Sequence, residues 1–440
     1  MNKLIIIVFI ILSSFRVYSQ QLQVSKNHRF LQTADGKPFF WLGDTGWLLF
    51  TKLTTPETDQ YLTDRKNKGF NVIQVMILPG LTATTVYGDS ALTKQNVAHP
   101  REKYWKHLDT VIDMAAKKGL YMGLVPVWGS NVKNGGVSLK DASEYASFLA
   151  KRYAGKSNII WLNGGDIKGS DSLRTWNAIG GILYKEDKNH LITFHPRGRW
   201  QSSVWFHKEP WLAFNMFQSG HQTYKQDTTE KKYGEDNWKY VRDDYSLTPV
   251  KPVIDGEPSY EGIPHALHDT TQPRWKAEDV RRYGYWSVFA GAFGYTYGNN
   301  SIMQMHRPED GVGVYGVKGY WTEAIHAPGG DQMQYLKKLM LAHSFFDRVP
   351  DQSLIAGDEG ELYNRLIATR GKDYALIYTY TGRNFSVNLG KIEGHKVLAS
   401  WYNPRDGSSK EIGLYVNEGV ASFDPPGEPQ NGNDWVLVIE

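Results

Sequence analysis

Short runs of consecutive apolar residues alternate along most of this chain with longer segments whose apolar positions recur every three or four residues. Val72-Ile73-Gln74-Val75-Met76-Ile77 and Tyr121-Met122-Gly123-Leu124-Val125 are of the first kind, the pattern of strands buried on both faces. Strand candidates begin near Phe39, Phe70, Leu120, Asn158, Leu191, Phe214, Pro252 and Gly294. Helical patterns fall between them, over 57–68, 104–118, 141–153, 171–187, 233–245 and 278–289. Eight such units predict parallel strands with crossover helices, closed into a (β/α)8 barrel. Between the fifth and sixth strands only 205–211 offers a helix, so that crossover is expected to be degenerate. A last helix over 331–346 would close the barrel, and 22–38, with the Asp35-Gly36 turn, predicts a preceding β-hairpin.

Beyond Asp351 the period shortens to two. Segments 362–369, 374–380, 385–389, 396–402, 413–416, 420–423 and 435–439, separated by Gly- or Pro-bearing turns, predict an antiparallel β-sandwich. The expected organisation is a leader over 1–19, the barrel with its hairpin over 20–350, and the sandwich over 351–440. There is no internal repeat.

Composition narrows the chemistry. With no cysteine among 440 residues, disulfides, thiolate catalysis and a lipidated cysteine are excluded. The net charge of +4 comes without a Lys/Arg cluster, so nucleic acid is not an expected partner. Aromatic residues make up 13%, enough to furnish faces for ring-shaped ligands as well as the core. Lys3, the apolar stretch from Leu4 to Leu12, and Val17-Tyr18-Ser19 predict a leader cleaved after Ser19, hence export to the periplasm or the cell exterior. No later segment approaches the ~20 apolar residues of a membrane span. The pattern leaves the oligomeric state open.

In a barrel of this kind the working residues stand at the C-terminal strand ends. Two of those ends are alike: Trp161-Leu162-Asn163-Gly164-Gly165-Asp166 and Val253-Ile254-Asp255-Gly256-Glu257 each run from apolar residues through glycine into a carboxylate. On strands four and seven the two would face each other across the mouth, the arrangement that cleaves a glycosidic bond. Asp166 is expected to be the acid/base and Glu257 the nucleophile, with Asp255 behind it. The alternative for either carboxylate is a helix cap or a surface ion pair.

Asp44, Trp47, Trp128, His195, Arg197, Gln218, His221 and Tyr297 stand at the other strand ends and are the expected substrate-binding residues. Asp44 would grip hydroxyls or else cap its turn; Trp47, Trp128 and Tyr297 would be sugar platforms; Arg197 and Arg199 could clamp a uronate carboxylate. His195 and His221 are as well suited to structural hydrogen bonds. No His-Glu-x-x-His spacing occurs, so neither a metal nor another cofactor is expected. The absence of a P-loop and of a Gly-x-Ser-x-Gly elbow removes the nucleotide and esterase readings.

The mature chain, roughly 22–440, resembles the apiosidase-like glycoside hydrolases of family 140. The resemblance is carried by Phe40-Trp41-Leu42-Gly43-Asp44-Thr45, Asn158-Ile159-Ile160-Trp161-Leu162-Asn163-Gly164-Gly165-Asp166, Phe194-His195-Pro196, Phe214-Asn215-Met216-Phe217-Gln218-Ser219-Gly220-His221, Asp255-Gly256-Glu257-Pro258 and Trp401-Tyr402-Asn403-Pro404-Arg405. It implies a barrel with a C-terminal sandwich of the type labelled collagen-binding, Asp166 and Glu257 as the catalytic pair, and a polysaccharide or oligosaccharide substrate. It further implies release of apiosyl-galacturonate-type side chains from the rhamnogalacturonan II of pectin. The alternatives are a glycosidase of other specificity on the same barrel, such as a furanosidase or β-glycanase, and a non-enzymatic carbohydrate-binding protein.

Overall fold

The computed structural model describes residues 21–440; the expected leader lies outside them. An N-terminal three-stranded sheet comes first: β1 (Leu22–Val24), β2 (Leu31–Thr33) and β3 (Pro38–Phe39), antiparallel in that order. The expected hairpin is its β2–β3 part, turned at Gly36 with φ +83°, and β1 adds a third strand.

Eight parallel strands follow: β4 (Trp41–Thr45), β5 (Val72–Met76), β6 (Tyr121–Val125), β7 (Ile159–Ile167), β8 (Ile192–Pro196), β9 (Asn215–Phe217), β10 (Val253–Asp255) and β11 (Gly294–Tyr297). Their order in space, β8-β7-β6-β5-β4-β11-β10-β9, is that of a near-closed (β/α)8 barrel. At the seam between β8 and β9, Ala213 N–H donates to Ile192 O at 2.8 Å and Thr193 Oγ1 to Phe214 O at 2.6 Å. Apart from Asp166, every residue of the eight strands is buried, which explains their unbroken apolar runs.

The surrounding helices are α1 (Thr55–Asn67), α2 (Glu102–Lys117), α3 (Leu139–Tyr153), α4 (Leu173–Glu186), α5 (Ser203–Phe206), α6 (Asn237–Tyr245), α7 (Ala277–Phe289) and α8 (Pro328–Ala342). The sequence sets their starts: Thr54 and Glu57 form a capping box on α1, and Ser138 accepts the Asp141 N–H at 3.1 Å on α3. On α2, Tyr104, Leu108, Val111, Ile112 and Ala115 make one buried stripe, and truncating Leu108 to Ala would cost ~2–5 kcal/mol. The degenerate crossover is the single turn α5. Helix α8 stops short of the expected 346 because Phe345 and Phe346 turn back onto Phe30, with centroids 4.9 and 6.1 Å away. No helix among the described residues is long and apolar enough to cross a membrane.

The C-terminal sandwich has a six-stranded sheet, β12-β14-β15-β20-β17-β18, over a three-stranded one, β13-β16-β19. Its strands are β12 (Val349–Pro350), β13 (Ile355–Ala356), β14 (Leu366–Arg370), β15 (Ala375–Thr379), β16 (Phe385–Asn388), β17 (Lys396–Tyr402), β18 (Ser409–Val416), β19 (Val420–Phe423) and β20 (Trp435–Ile439). Leu362–Asn364 is a 3-10 turn and not the start of a strand. Strands β12 and β13 have two residues each, too short for a period-two pattern to mark them.

Strand alternation shows how the two parts join. On β15 and β20, Ala375, Ile377, Leu437 and Ile439 enter the sandwich core, whereas Leu376, Tyr378, Val436 and Val438 pack with barrel residues in one shared core. Between the sheet and the barrel lies α7, buried at every position from Val280 to Phe289. Tyr285 stacks on Tyr378 at 4.8 Å, and Arg281 grips Asp434 with two hydrogen bonds of 2.9 Å, both side chains buried.

Candidate active site

A half-open cleft of about 720 Å³ lies at the C-terminal ends of the barrel strands. Asp166 and Glu257 both line it. Asp166 gets there through a bulge: Gly164 pairs with His195 and Ile167 with Pro196, so Gly165 and Asp166 are looped out of the ladder. Gly164, Gly165 and Asp166 all have positive φ, +93°, +108° and +48°. At Gly165 a Cβ would also stand 2.7 Å from Cε3 of Trp128, so this bend requires glycine.

Glu257 follows β10 by two residues, after Gly256. Inside the barrel the buried Gln74 donates from Nε2 to Gly256 O at 2.7 Å, and Gly256 N–H donates to Phe217 O at 2.9 Å. These bonds fix the backbone from which Glu257 projects.

Two histidines hold the Glu257 carboxylate. His221 Nε2 lies 3.3 Å from Oε1, while Nδ1 accepts the Tyr260 N–H at 3.3 Å. His195 Nε2 lies 3.1 Å from Oε2, and its Nδ1 accepts the Asp166 N–H at 3.3 Å. Because each Nδ1 is an acceptor, each Nε2 carries the proton that faces Glu257. The His195 contact approaches off the N–H axis, leaving Nε2 and Oε2 without a straight hydrogen bond, and is therefore mainly electrostatic. Trp47 and Trp128 wall in the His195 ring, at 5.3 and 6.2 Å.

The surroundings drive the two carboxyls apart. Burial alone would raise Glu257; the histidine contacts outweigh it and hold the group down at about 2. Asp166 is open to cleft water yet enclosed by protein behind, and that enclosure, then the Glu257 charge, raises it to about 6 despite His195, the Gly198 N–H and Arg197. Near pH 5 the cleft thus presents one protonated and one ionised carboxyl, an acid beside a nucleophile or base.

The fold has counterparts. Residues 25–347 match the family model described as "Apiosidase-like, catalytic domain", and residues 349–440 match the one described as "Putative collagen-binding domain of a collagenase". A solved structure described as "Glycoside hydrolase" is 48% identical, with TM-score 0.92, covering 96% of both chains. The chain belongs to the apiosidase-like catalytic-domain family and is a glycoside hydrolase. A glycoside hydrolase family 5 structure from Bacteroides vulgatus is 46% identical to this hydrolase, with TM-score 0.92, over 95% of this chain and 93% of that one. An endo-1,4-beta-D-mannanase from Thermotoga petrophila shares the fold alone, at 14% identity and TM-score 0.50 over 68% of this chain and all 100% of its own. No curated protein matches the hydrolase.

These findings correct two expectations. The family 5 description of a relative 46% identical replaces the assignment to family 140. With it falls the reading of apiosyl-galacturonate linkages in pectin, because membership in the catalytic-domain family does not carry a substrate. The substrate stands at the broader class of polysaccharide or oligosaccharide.

The cleft of the hydrolase brings together Trp47, Trp128, Arg197, Gln218 and His221 from the expected set. Three others are corrected. Asp44 is wholly buried, accepting from Tyr61 Oη at 2.6 Å beside Arg65, and does not reach the cleft. Tyr297 is wholly buried and donates to Glu261 Oε2 at 2.6 Å, so it offers no sugar platform. His195 lies beneath Glu257 and positions it, with no surface left for substrate. Arg199, too, is occupied, donating to the carbonyls of Gln222 and Gly234.

Lys168, Trp200 and Tyr315 also line the cleft and went unread. Lys168 follows Asp166 by two residues and sits 4.8 Å from the Trp200 ring centroid, so the strand end could have given it away. Tyr315 belongs to the long irregular segment after β11, which carries no periodic signal. Among the described residues no group of three or more His, Asp or Glu side chains is placed to hold a metal ion.

Proposed function

We propose that the hydrolase is an exported β-glycanase in which Asp166 protonates the leaving oxygen and Glu257 attacks the anomeric carbon. The observation that carries this reading is the geometry of two carboxyls lining one cleft, Glu257 held between His195 and His221 and Asp166 looped out on its glycine bulge, surroundings that lower the first and raise the second. The half-open shape and the Trp47, Trp128 and Trp200 side chains on its walls suit a run of sugar rings. Gln218, whose Oε1 is buried without a partner, and Arg197 would take substrate hydroxyls. Export is supported by the Lys3, Leu4 to Leu12 and Ser19 leader pattern.

The test is a panel of defined oligosaccharides, β-1,4-mannan and β-1,4-glucan first since the fold is shared with a mannanase, with product analysis and NMR of the first-formed anomer. Cleavage of a β-glycan with net retention is the expected result. Affinity for glycans with no new reducing ends would leave a binding protein instead, and an inverted product would make Glu257 a base.

A further inference from the structure

The 222–236 loop, which has no helix or strand, carries Gln222, Thr228 and Thr229 on the cleft wall. A loop of this length needs fixed points if it is to present side chains in one geometry. Arg199 supplies two by donating to Gln222 O, at 2.6 Å, and to Gly234 O. Asp227 accepts the Gly234 N–H at 2.7 Å, drawing the middle of the loop onto its end.

Lys231 and Tyr233 tie the loop to Asp243 of α6, and a further anchor is Glu235, which is buried. Its Oε2 accepts from Arg282 of α7 at 2.7 Å; its Oε1 accepts from the Tyr363 hydroxyl at 2.9 Å and from the Tyr224 N–H at 3.4 Å. Tyr363 belongs to the sandwich. Its ring also lies 5.6 Å from that of Tyr224, and the Arg282 guanidinium is 4.8 Å from its centroid. A second sandwich residue, Arg365, covers Trp238 just past the loop at 4.5 Å. A buried carboxylate that loses one donor keeps its charge with less to balance it, so each donor matters to where the loop settles.

We propose that the β-sandwich is a fixed brace for the catalytic cleft, in which the Tyr363 hydroxyl completes the Glu235 junction and holds the 222–236 loop in its substrate-binding position. Tyr363 is thus a positioning residue. The sandwich sheet face bearing Leu376, Tyr378, Val436 and Val438 is spent on the barrel, as a brace requires. The proposal rests on the reading of the cleft as the substrate site.

The test compares Tyr363→Phe with Tyr402→Phe in the full chain. The Tyr402 hydroxyl donates to Tyr335 O at 2.9 Å across the same interface but on α8, away from the loop. Tyr363→Phe should speed amide hydrogen exchange within 222–234 by about tenfold and raise KM several-fold, with kcat within about twofold. Tyr402→Phe should leave loop exchange and KM at wild-type values, with a melting temperature lowered no less than in Tyr363→Phe. Wild-type exchange in the loop of Tyr363→Phe, an unchanged KM, or equal KM shifts in both variants would each overturn the brace. Exchange is read without substrate, so a failure of the cleft reading, seen as full turnover by Asp166 and Glu257 variants, remains distinguishable from a failure of the brace.

Discussion

One imidazole touches both carboxyl residues of the proposed catalytic pair: His195 Nε2 lies 3.1 Å from Glu257 Oε2, and its Nδ1 accepts the N–H of Asp166 at 3.3 Å. The ring that keeps Glu257 ionised therefore also fixes the backbone carrying the acid. Its tautomer follows from the Asp166 N–H, which leaves the proton on the nitrogen that faces Glu257.

His195→Ala removes both contacts. The Glu257 carboxyl should move up from about 2 toward the ordinary carboxylate range, carrying the acid limb of kcat/KM upward by a unit or more. His221→Ala should shift the same limb without disturbing Asp166. An acid limb unmoved in both variants would show that the histidines do not hold the charge.

The wild-type pH profile follows from the same pair. Glu257 must be ionised, which holds above about 2, and Asp166 must be protonated, which holds below about 6. Activity should therefore plateau in the acidic range and fall as pH rises through about 6. The limbs belong to the interacting pair as a whole. Replacing Asp166 by Asn should abolish the basic limb along with most of the rate.

Gly165 offers a geometric test. Gly165→Ala places a methyl at φ +108° and 2.7 Å from Trp128 Cε3, so Trp128 or the Asp166 bulge must shift. Strain of ~1–3 kcal/mol is expected, and a displacement near 1 Å at the acid would lower kcat/KM by about 100-fold. Activity assays with a melting curve check this; a folded variant of wild-type activity would contradict it.

Much of the fold was legible in the sequence because the barrel strands are buried on both faces and separated by helices with one buried stripe, such as Glu102–Lys117. The sequence placed Asp166 and Glu257 on the cleft as carboxylates that follow glycine at strand ends, although Gly43-Asp44 has the same pattern and ends buried. Asp44 and Tyr297 misled for a physical reason: a strand-end side chain can turn inward to a partner such as Arg65 or Glu261, and those partners lie far off in sequence. The bracing role of Tyr363 was hidden likewise, since its partner Glu235 is on a loop of the other domain. Tyr315 had no signal, because long loops carry no period.

Two buried aspartates make stability depend on pH. Burial pushes Asp255 and Asp244 up to about 7, although Ser219 and Asn237 donate to the first and Ser203 and Gln201 to the second. Below about 4 both are protonated in the folded and unfolded chain alike. Between about 4 and 7 the unfolded chain gives up these protons first, so stability should fall as pH rises and level off above about 7. Melting temperatures across this range should show the decline, and Asp255→Asn should reduce it by about half, leaving the Asp244 part; a slope unaltered in that variant would contradict the assignment.

The most direct measurement of the central claim is the rate of reducing-end release by Asp166→Asn and Glu257→Gln on the glycan that the wild-type hydrolase cleaves best, with glycan binding measured alongside. Both variants should lose ~10²–10⁴-fold or more in kcat while still binding the glycan. Wild-type turnover by either variant would contradict the account.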